Sequence, residues 1–305
     1  MVFRQRVRWV EAITQGCIEQ PNIYDVFEKE SNRKVFVVKE ESDPLSRCCC
    51  APEHSLFAKF YPVGEDGNEV GAAVMTLERE GCDCCFTGAC PKPCLCCFAC
   101  TPSCSEQSVL HAGDIQGKPG EKKGARDLIN MLGQTVQPKG GGGFKPVMQI
   151  MDRGSSGEAE MFAATRGPCL FGGCSEFCVD SRFGISVARP GMEVSQIHGL
   201  PFGDFASITK VKPSSFTGAI REAFTDSDIY EVQFNSKDIT VQQKANILGS
   251  MVHLDYMFFE RDNDMISCTG GDTLHIVFFN CFVYGCICPC ECTLSSNGGG
   301  DGDGE

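Results

Sequence analysis

Between Ala245 and Phe259 the apolar residues Ala245, Ile247, Leu248, Met251, Val252, Leu254, Met257, Phe258 and Phe259 fall on every side of a helix instead of along one stripe. A helix without a polar face has to be enclosed, so the remainder of the chain either forms a shell around it or leaves it in lipid. The run is 15 residues long, short of the roughly 20 needed to cross hydrocarbon. His253 and Asp255 within it would also be costly at bilayer depth. A central core helix over about 240–260 is therefore favoured, with His253 a core residue and not a ligand. The start of the helix is well specified. Thr240 with Gln243 three residues on forms a capping box, and Asp238 places negative charge near the positive end of the helix dipole.

The shell reads as β-structure. Among 305 residues there are 34 Gly and 22 Phe but one Trp, a composition that suits many short strands joined by tight turns. Residues 22–28 and 34–38 flank a polar Glu30-Ser31-Asn32-Arg33 turn, a hairpin signature. Further strands are expected at 55–61, 70–78, 106–112, 146–152, 158–165, 176–188 and 205–212, followed by the alternation Tyr230, Val232, Phe234. That number is enough for a barrel or a sandwich. Residues 1–22 read as an N-terminal packing arm, with Trp9, Val10 and Ile13 at helical spacing. Residues 118–145, with Gly140 to Gly143 in a row, read as an inserted flexible loop that is locally basic through Lys118, Lys122, Lys123, Arg126, Lys139 and Lys145. Basic residues of this kind suit an anionic membrane surface, the alternative being a solvated loop.

The net charge of −13 argues against nonspecific nucleic-acid binding, which needs a basic field. Twenty-two cysteines would suggest a disulfide framework in a secreted chain. The first residues lack the apolar stretch of a signal peptide, so a reducing compartment is expected. Many thiols cluster at Cys48 to Cys50 and between Cys82 and Cys104. Cys94, Cys97 and Cys100 have the two-residue gaps of a zinc knuckle but share Cys97, so zinc remains an alternative there. Clustered thiols among Phe86, Leu95, Phe98 and prolines suit S-acylation better, because two acyl chains anchor stably where one binds marginally. An unmodified cysteine-rich loop is the remaining alternative. The five histidines sit in no motif with a nucleophile or a metal-ligand partner, so conventional catalysis is not expected.

The segment Arg221-Glu222-Ala223-Phe224-Thr225-Asp226, with Asp228, Gln233-Phe234, Lys244-Ala245 and Asp255 through Glu260, resembles the C-terminal signature of the phospholipid scramblase family. Gly167-Pro168-Cys169, Gly173-Cys174, Thr217-Gly218, Leu77-Glu78-Arg79 and Cys48-Cys49-Cys50-Ala51-Pro52 resemble landmarks of that family in the same order. The resemblance covers about residues 10–262. It implies a mainly β, tubby-like fold over 23–262, a closed antiparallel barrel of about 12 strands around a central hydrophobic C-terminal helix. It also implies a weak calcium site on Asp226, Asp228, Tyr230, Val232, Phe234 and Asp238, and palmitoylation at Cys94, Cys96, Cys97 and Cys100. Here Lys237 stands where the family closes its loop with a carboxylate, one residue before Asp238. The expected function is calcium-responsive lipid binding, with phospholipid movement between leaflets, by a lipid-anchored protein at the cytosolic face of a membrane. The alternatives are an acyl-anchored adaptor without transport and a zinc-stabilised adaptor. Beyond the barrel, 263–305 reads as a cysteine-rich apolar extension with a disordered acidic tail. Its run 274–288 is expected to be an interfacial or acylated segment, or else one more strand.

Overall fold

The computed structural model of the chain describes residues 1–6, 20–50, 54–81, 106–119, 130–177, 179–212, 228–260, 266–269 and 273–295. Twelve strands form a closed antiparallel barrel: β1 (Val2–Gln5), β2 (Ile23–Phe27), β3 (Lys34–Ser42), β4 (Leu56–Pro62), β5 (Met75–Arg79), β6 (Gln107–Ala112), β7 (Met131–Val136), β8 (Val147–Arg153), β9 (Ala159–Arg166), β11 (Ser181–Val187), β12 (Ala206–Lys210) and β13 (Ile229–Phe234). Each pairs with its neighbour in chain order, except that β10 (Leu170–Phe171) leaves the wall between β9 and β11. The ring closes at β1, which pairs with β2 on one side and β13 on the other, setting Phe3 opposite both Val26 and Tyr230. A closed ring leaves no edge strand unpaired.

After two short helices, α1 (Pro44–Cys50) and α2 (Val194–His198), helix α3 (Val241–Leu254) runs through the barrel and continues as one wider turn, Asp255–Phe259. The capping box is present, with Thr240 Oγ1 accepting from the Gln243 amide and the Gln243 side chain accepting from the Thr240 amide. Ile247, Met251, Val252, Leu254 and Phe258 are buried against inward residues of the wall, including Leu77, Leu110, Ile150 and Val232. Full burial of each such side chain contributes roughly 1.5–3 kcal/mol. The helix lies close to β7 and β8. A Cβ on Gly133 would stand 2.1 Å from the Met151 carbonyl oxygen and 2.5 Å from Asn246 Nδ2, so only glycine permits this approach. Asn246 donates to the Leu132 carbonyl and to Asp152 Oδ1, both at 3.2 Å, and Ser250 Oγ lies 2.7 Å from Thr135 Oγ1. These bonds satisfy polar groups that the enclosure removes from water.

Two expectations are corrected. Residues 2–5 are not part of a packing arm, because β1 is the strand that closes the ring; Trp9, Val10 and Ile13 lie outside the described residues. The segment 118–145 is not one inserted loop, because its residues 131–136 are barrel strand β7, with Met131, Gly133 and Thr135 facing inward. The short alternation is masked in the sequence by glycine and glutamine. The glycine run after it is ordered, with φ between 64° and 107° at Gly140 to Gly143. Of the alternatives for the apolar run 274–288 the strand is the one adopted, in a hairpin of β15 (Thr273–Val283) and β16 (Cys286–Ser295) joined by the two-residue turn Tyr284-Gly285 with φ of 48° and 93°. β15 also pairs with β10 and with β14 (Ile266–Thr269), forming a second, four-stranded sheet. The run is apolar because its inward residue Phe282 is buried against Phe258 at the end of the helix, 5.9 Å between ring centroids.

Candidate functional site

Buried charge concentrates where α3 ends. Asp255 is fully buried, and its carboxylate accepts from the hydroxyls of Tyr24 on β2 and Tyr230 on β13. Both tyrosines are there because alternate residues of a strand face the same side, and theirs is the inside of the barrel. The Tyr230 hydroxyl also stands 2.9 Å from Asp228 Oδ2. It has one proton to give, so Asp228 and Asp255 compete for it. Burial, and then the charges of Glu260 and Asp228, push the Asp255 carboxyl up to about 7. Burial likewise drives the Tyr24 and Tyr230 phenols well above their ordinary range.

On one flank Lys210 Nζ on β12 lies 2.9 Å from Asp228 Oδ2 and 2.7 Å from Glu176 Oε2, and 4.7 Å from the centroid of the Phe259 ring. Burial raises Glu176, and the Lys210 ammonium opposes that shift. On the other flank Glu40 on β3 accepts from the Tyr256 hydroxyl at 2.7 Å and the Asn22 amide at 2.8 Å, with His54 Nε2 at 2.9 Å and Arg47 Nε at 3.4 Å. Arg47 is delivered by the short helix α1 (Pro44–Cys50), whose first turn Asp43 caps through the Ser46 amide. Burial alone would raise Glu40, but the His54 bond and charge, the Asn22 amide and Ser42 outweigh it and hold the carboxyl at about 2. Asn22 also donates to Glu260 Oε2 at 3.0 Å, and Gln5 joins the flanks, donating from Nε2 to Asn22 Oδ1 at 2.5 Å and accepting from the Asp228 amide at 3.3 Å. The result is a continuous acid and phenol network that fixes the end of the helix and keeps one carboxyl near its midpoint at neutral pH.

The six residues of the implied calcium set are not brought together. Asp226 lies outside the described residues. Asp228 is occupied by Lys210 and Tyr230, Tyr230 and Val232 are buried in β13, and Phe234 is half-buried near its end. Asp238 is exposed, two residues before the helix N-cap, whereas Asp228 stands beside the far end of the same helix through Tyr230 and Asp255. With a rise of 1.5 Å per residue, those ends are about 22 Å apart, and calcium holds its oxygens at roughly 2.3–2.6 Å. This set does not fit one calcium ion. Among the described residues no three His, Cys, Asp or Glu side chains are grouped to hold a metal. Cys94, Cys96, Cys97 and Cys100, candidates for palmitoylation or zinc, lie outside the described residues.

Sequence reasoning did not find Tyr24, Glu40, Glu176 or Lys210. For Tyr24 a signal existed in the alternation of Asn22, Tyr24 and Val26. Glu40 and Lys210 resemble ordinary solvated charges at strand ends until the barrel closes over them.

Residues 202–261, which hold β12, β13 and the whole central helix, match the family model described as Scramblase. The chain is 25% identical over 260 residues to phospholipid scramblase 1 of Homo sapiens, covering 85% of this chain and 63% of that protein. It is 26% identical over 261 residues to phospholipid scramblase 1 of Mus musculus, covering 86% and 61%. With phospholipid scramblase 2 of Bos taurus the identity is 24% over 260 residues, covering 85% and 68%. The chain thus spans about three fifths of the length of the first two of these relatives. No solved structure matches it. The family match falls on the stretch that supplies Tyr230, Asp255 and Tyr256 to the buried network, and over about 85% of its length the chain is similar to proteins named phospholipid scramblase.

Proposed function

We propose that this protein is a phospholipid scramblase-like protein that binds phospholipid at the cytosolic face of a membrane and moves phospholipid between leaflets. The observation that carries the reading is the similarity to proteins named phospholipid scramblase over 85% of the chain, together with the Scramblase match on the central helix. Acyl chains on Cys94, Cys96, Cys97 and Cys100 anchor the protein in this reading. Calcium is given no step, because the carboxylates do not surround one ion. The experiment reconstitutes the purified chain in vesicles with a fluorescent phospholipid in both leaflets and quenches the outer leaflet chemically. Loss of the protected inner signal supports transport, and retention of that signal alongside intact vesicle binding refutes it. Running the assay with and without calcium, on wild type and on Asp226→Asn/Asp228→Asn, measures calcium responsiveness separately.

A second reading is favoured by one observation. The central helix is enclosed on all sides by the barrel, and no helix among the described residues is long and apolar enough to cross a membrane. A lipid-anchored adaptor that binds phospholipid without transporting it accounts for an enclosed helix directly. Thioester cleavage by hydroxylamine, releasing the protein from membranes while scrambling is absent, distinguishes it.

A further inference from the structure

We infer that the β15–β16 turn and the glycine turn packed against it form the face that docks on an anionic phospholipid surface, with Phe144 and Tyr284 entering the headgroup region. The inference rests on the phospholipid-binding reading above and names the surface that does the binding. The two turns are one unit. The Tyr284 amide donates to the Gly143 carbonyl at 2.7 Å, and a Cβ on Gly141 would lie 2.6 Å from the Gly285 backbone. Phe144 and Tyr284 pack edge to face with centroids 5.4 Å apart, yet they remain 63% and 56% exposed. An isolated exposed aromatic needs no explanation, but a paired set held on two rigid turns presents apolar area at the tip of the fold.

Behind the tip, the strand alternation turns Phe282 inward with Ile287, which packs against the core. Cys281, Cys288 and Cys290 are therefore on the outer face, with Leu170 opposite Cys281 and 49% exposed. This face is apolar and uncharged. Its rim is basic: Lys139 and Lys145 flank the glycine turn, are exposed, and make no ion pair among the described residues. Residues 128–151 and 273–290 contain no Asp or Glu at all, although the chain carries 40. In a chain of net charge −13, a tip free of carboxylates and bearing two free ammonium groups is complementary to an anionic surface. Aromatic side chains with a polar handle, set beside lysines, are the composition that settles at a membrane interface. In a tip-to-tip pairing of two copies the lysines would face their own equivalents and repel, so the charge pattern favours a lipid surface over that dimer.

The test is co-sedimentation of the full-length reduced protein with phosphatidylcholine vesicles, with and without phosphatidylserine. Lys139→Gln/Lys145→Gln is expected to weaken binding to the anionic vesicles roughly 30-fold and to remove most of its salt dependence. Phe144→Ser/Tyr284→Asn, which keeps a residue tolerant of positive φ at 284, is expected to weaken it at least about tenfold. Phe144→Trp is expected to give a blue-shifted emission on vesicle addition, read against the single native Trp9. If wild type does not sediment with either vesicle, the phospholipid-binding reading fails. If wild type binds and either double variant binds equally well with an unchanged melting temperature, this inference is overturned and that reading stands. Absence of a blue shift in Phe144→Trp on bound vesicles overturns it too, whatever the folding of the double variants. A change in oligomeric mass with vesicle binding untouched assigns the face to a second copy of the chain and overturns it as well.

Discussion

Asp255→Asn is the perturbation with the sharpest physical consequence. Asn keeps the shape of the side chain and carries no charge; its oxygen still accepts from one tyrosine hydroxyl, while the other hydroxyl turns to accept from the new NH2. In the folded protein the Asp255 carboxyl is held up at about 7, against an ordinary 3.8. The groups facing it are Tyr24 from β2, Tyr230 from β13, Asp228 just before that strand, and Glu260 from the helix end. Because the folded state binds this proton more tightly than the unfolded chain, its stabilising effect is complete below about pH 4 and is lost as pH rises through 7. A shift of roughly 3 units corresponds to about 4 kcal/mol in all, of which about 2 kcal/mol falls between pH 5.5 and 8. The assay is urea unfolding of reduced wild type and variant at several pH values over that range. Wild type should lose about 2 kcal/mol relative to Asp255→Asn across it, equivalent to roughly 4 °C or more in melting temperature. Parallel stability profiles for the two proteins would refute the buried-proton reasoning.

Glu40 carries the opposite sign. Held at about 2 against 4.5, it stabilises the fold above pH 4.5, and that contribution, about 3 kcal/mol, drains away as pH falls toward 2. Glu40→Gln should therefore flatten the acid limb of the stability curve, measured by circular dichroism between pH 2 and 5. Lys210→Met leaves Asp228 and Glu176 partly buried without their shared cation and should cost about 2 kcal/mol or more in urea unfolding; a loss below about 1 kcal/mol would contradict the proximity described here. Gly133→Ala places a methyl against the Met151 carbonyl and Asn246, and thermal melting should show a destabilisation of about 2 kcal/mol or more. Phe282→Ala opens a cavity over Phe258 and should cost about 3 kcal/mol, whereas an unchanged melt would mean that the hairpin does not seat on the barrel.

What could be read from the chain depended on whether a feature is local. The central helix was legible because a capping box and an all-round apolar sequence need no knowledge of partners. The hairpin from Ile23 to Ser42 was legible for the same reason. β1 was not, since four residues acquire meaning only by pairing with two strands, from Tyr24 to Phe27 on one side and from Ile229 to Glu231 on the other. β7 was hidden because Gly133 was chosen for helix contact instead of strand propensity. The site was less legible than the fold. Asp255 was noticed only as a charge unsuited to lipid, and its tyrosine partners come from both ends of the chain. The calcium set was implied by the family resemblance, and an extended strand followed by a helix separates Asp228 from Asp238 in space although the sequence places them ten residues apart.

The closure at β1 also dictates an order of events during synthesis. The ring cannot be completed until β13, ending at Phe234, has left the ribosome, and the helix that fills the ring is made after that. Until then β1 presents a bare edge and the inward faces of the strands already made line an empty trough. The nascent chain therefore carries this apolar surface uncovered for most of its translation, and its final step is the wrapping of a nearly finished wall around a late-arriving core.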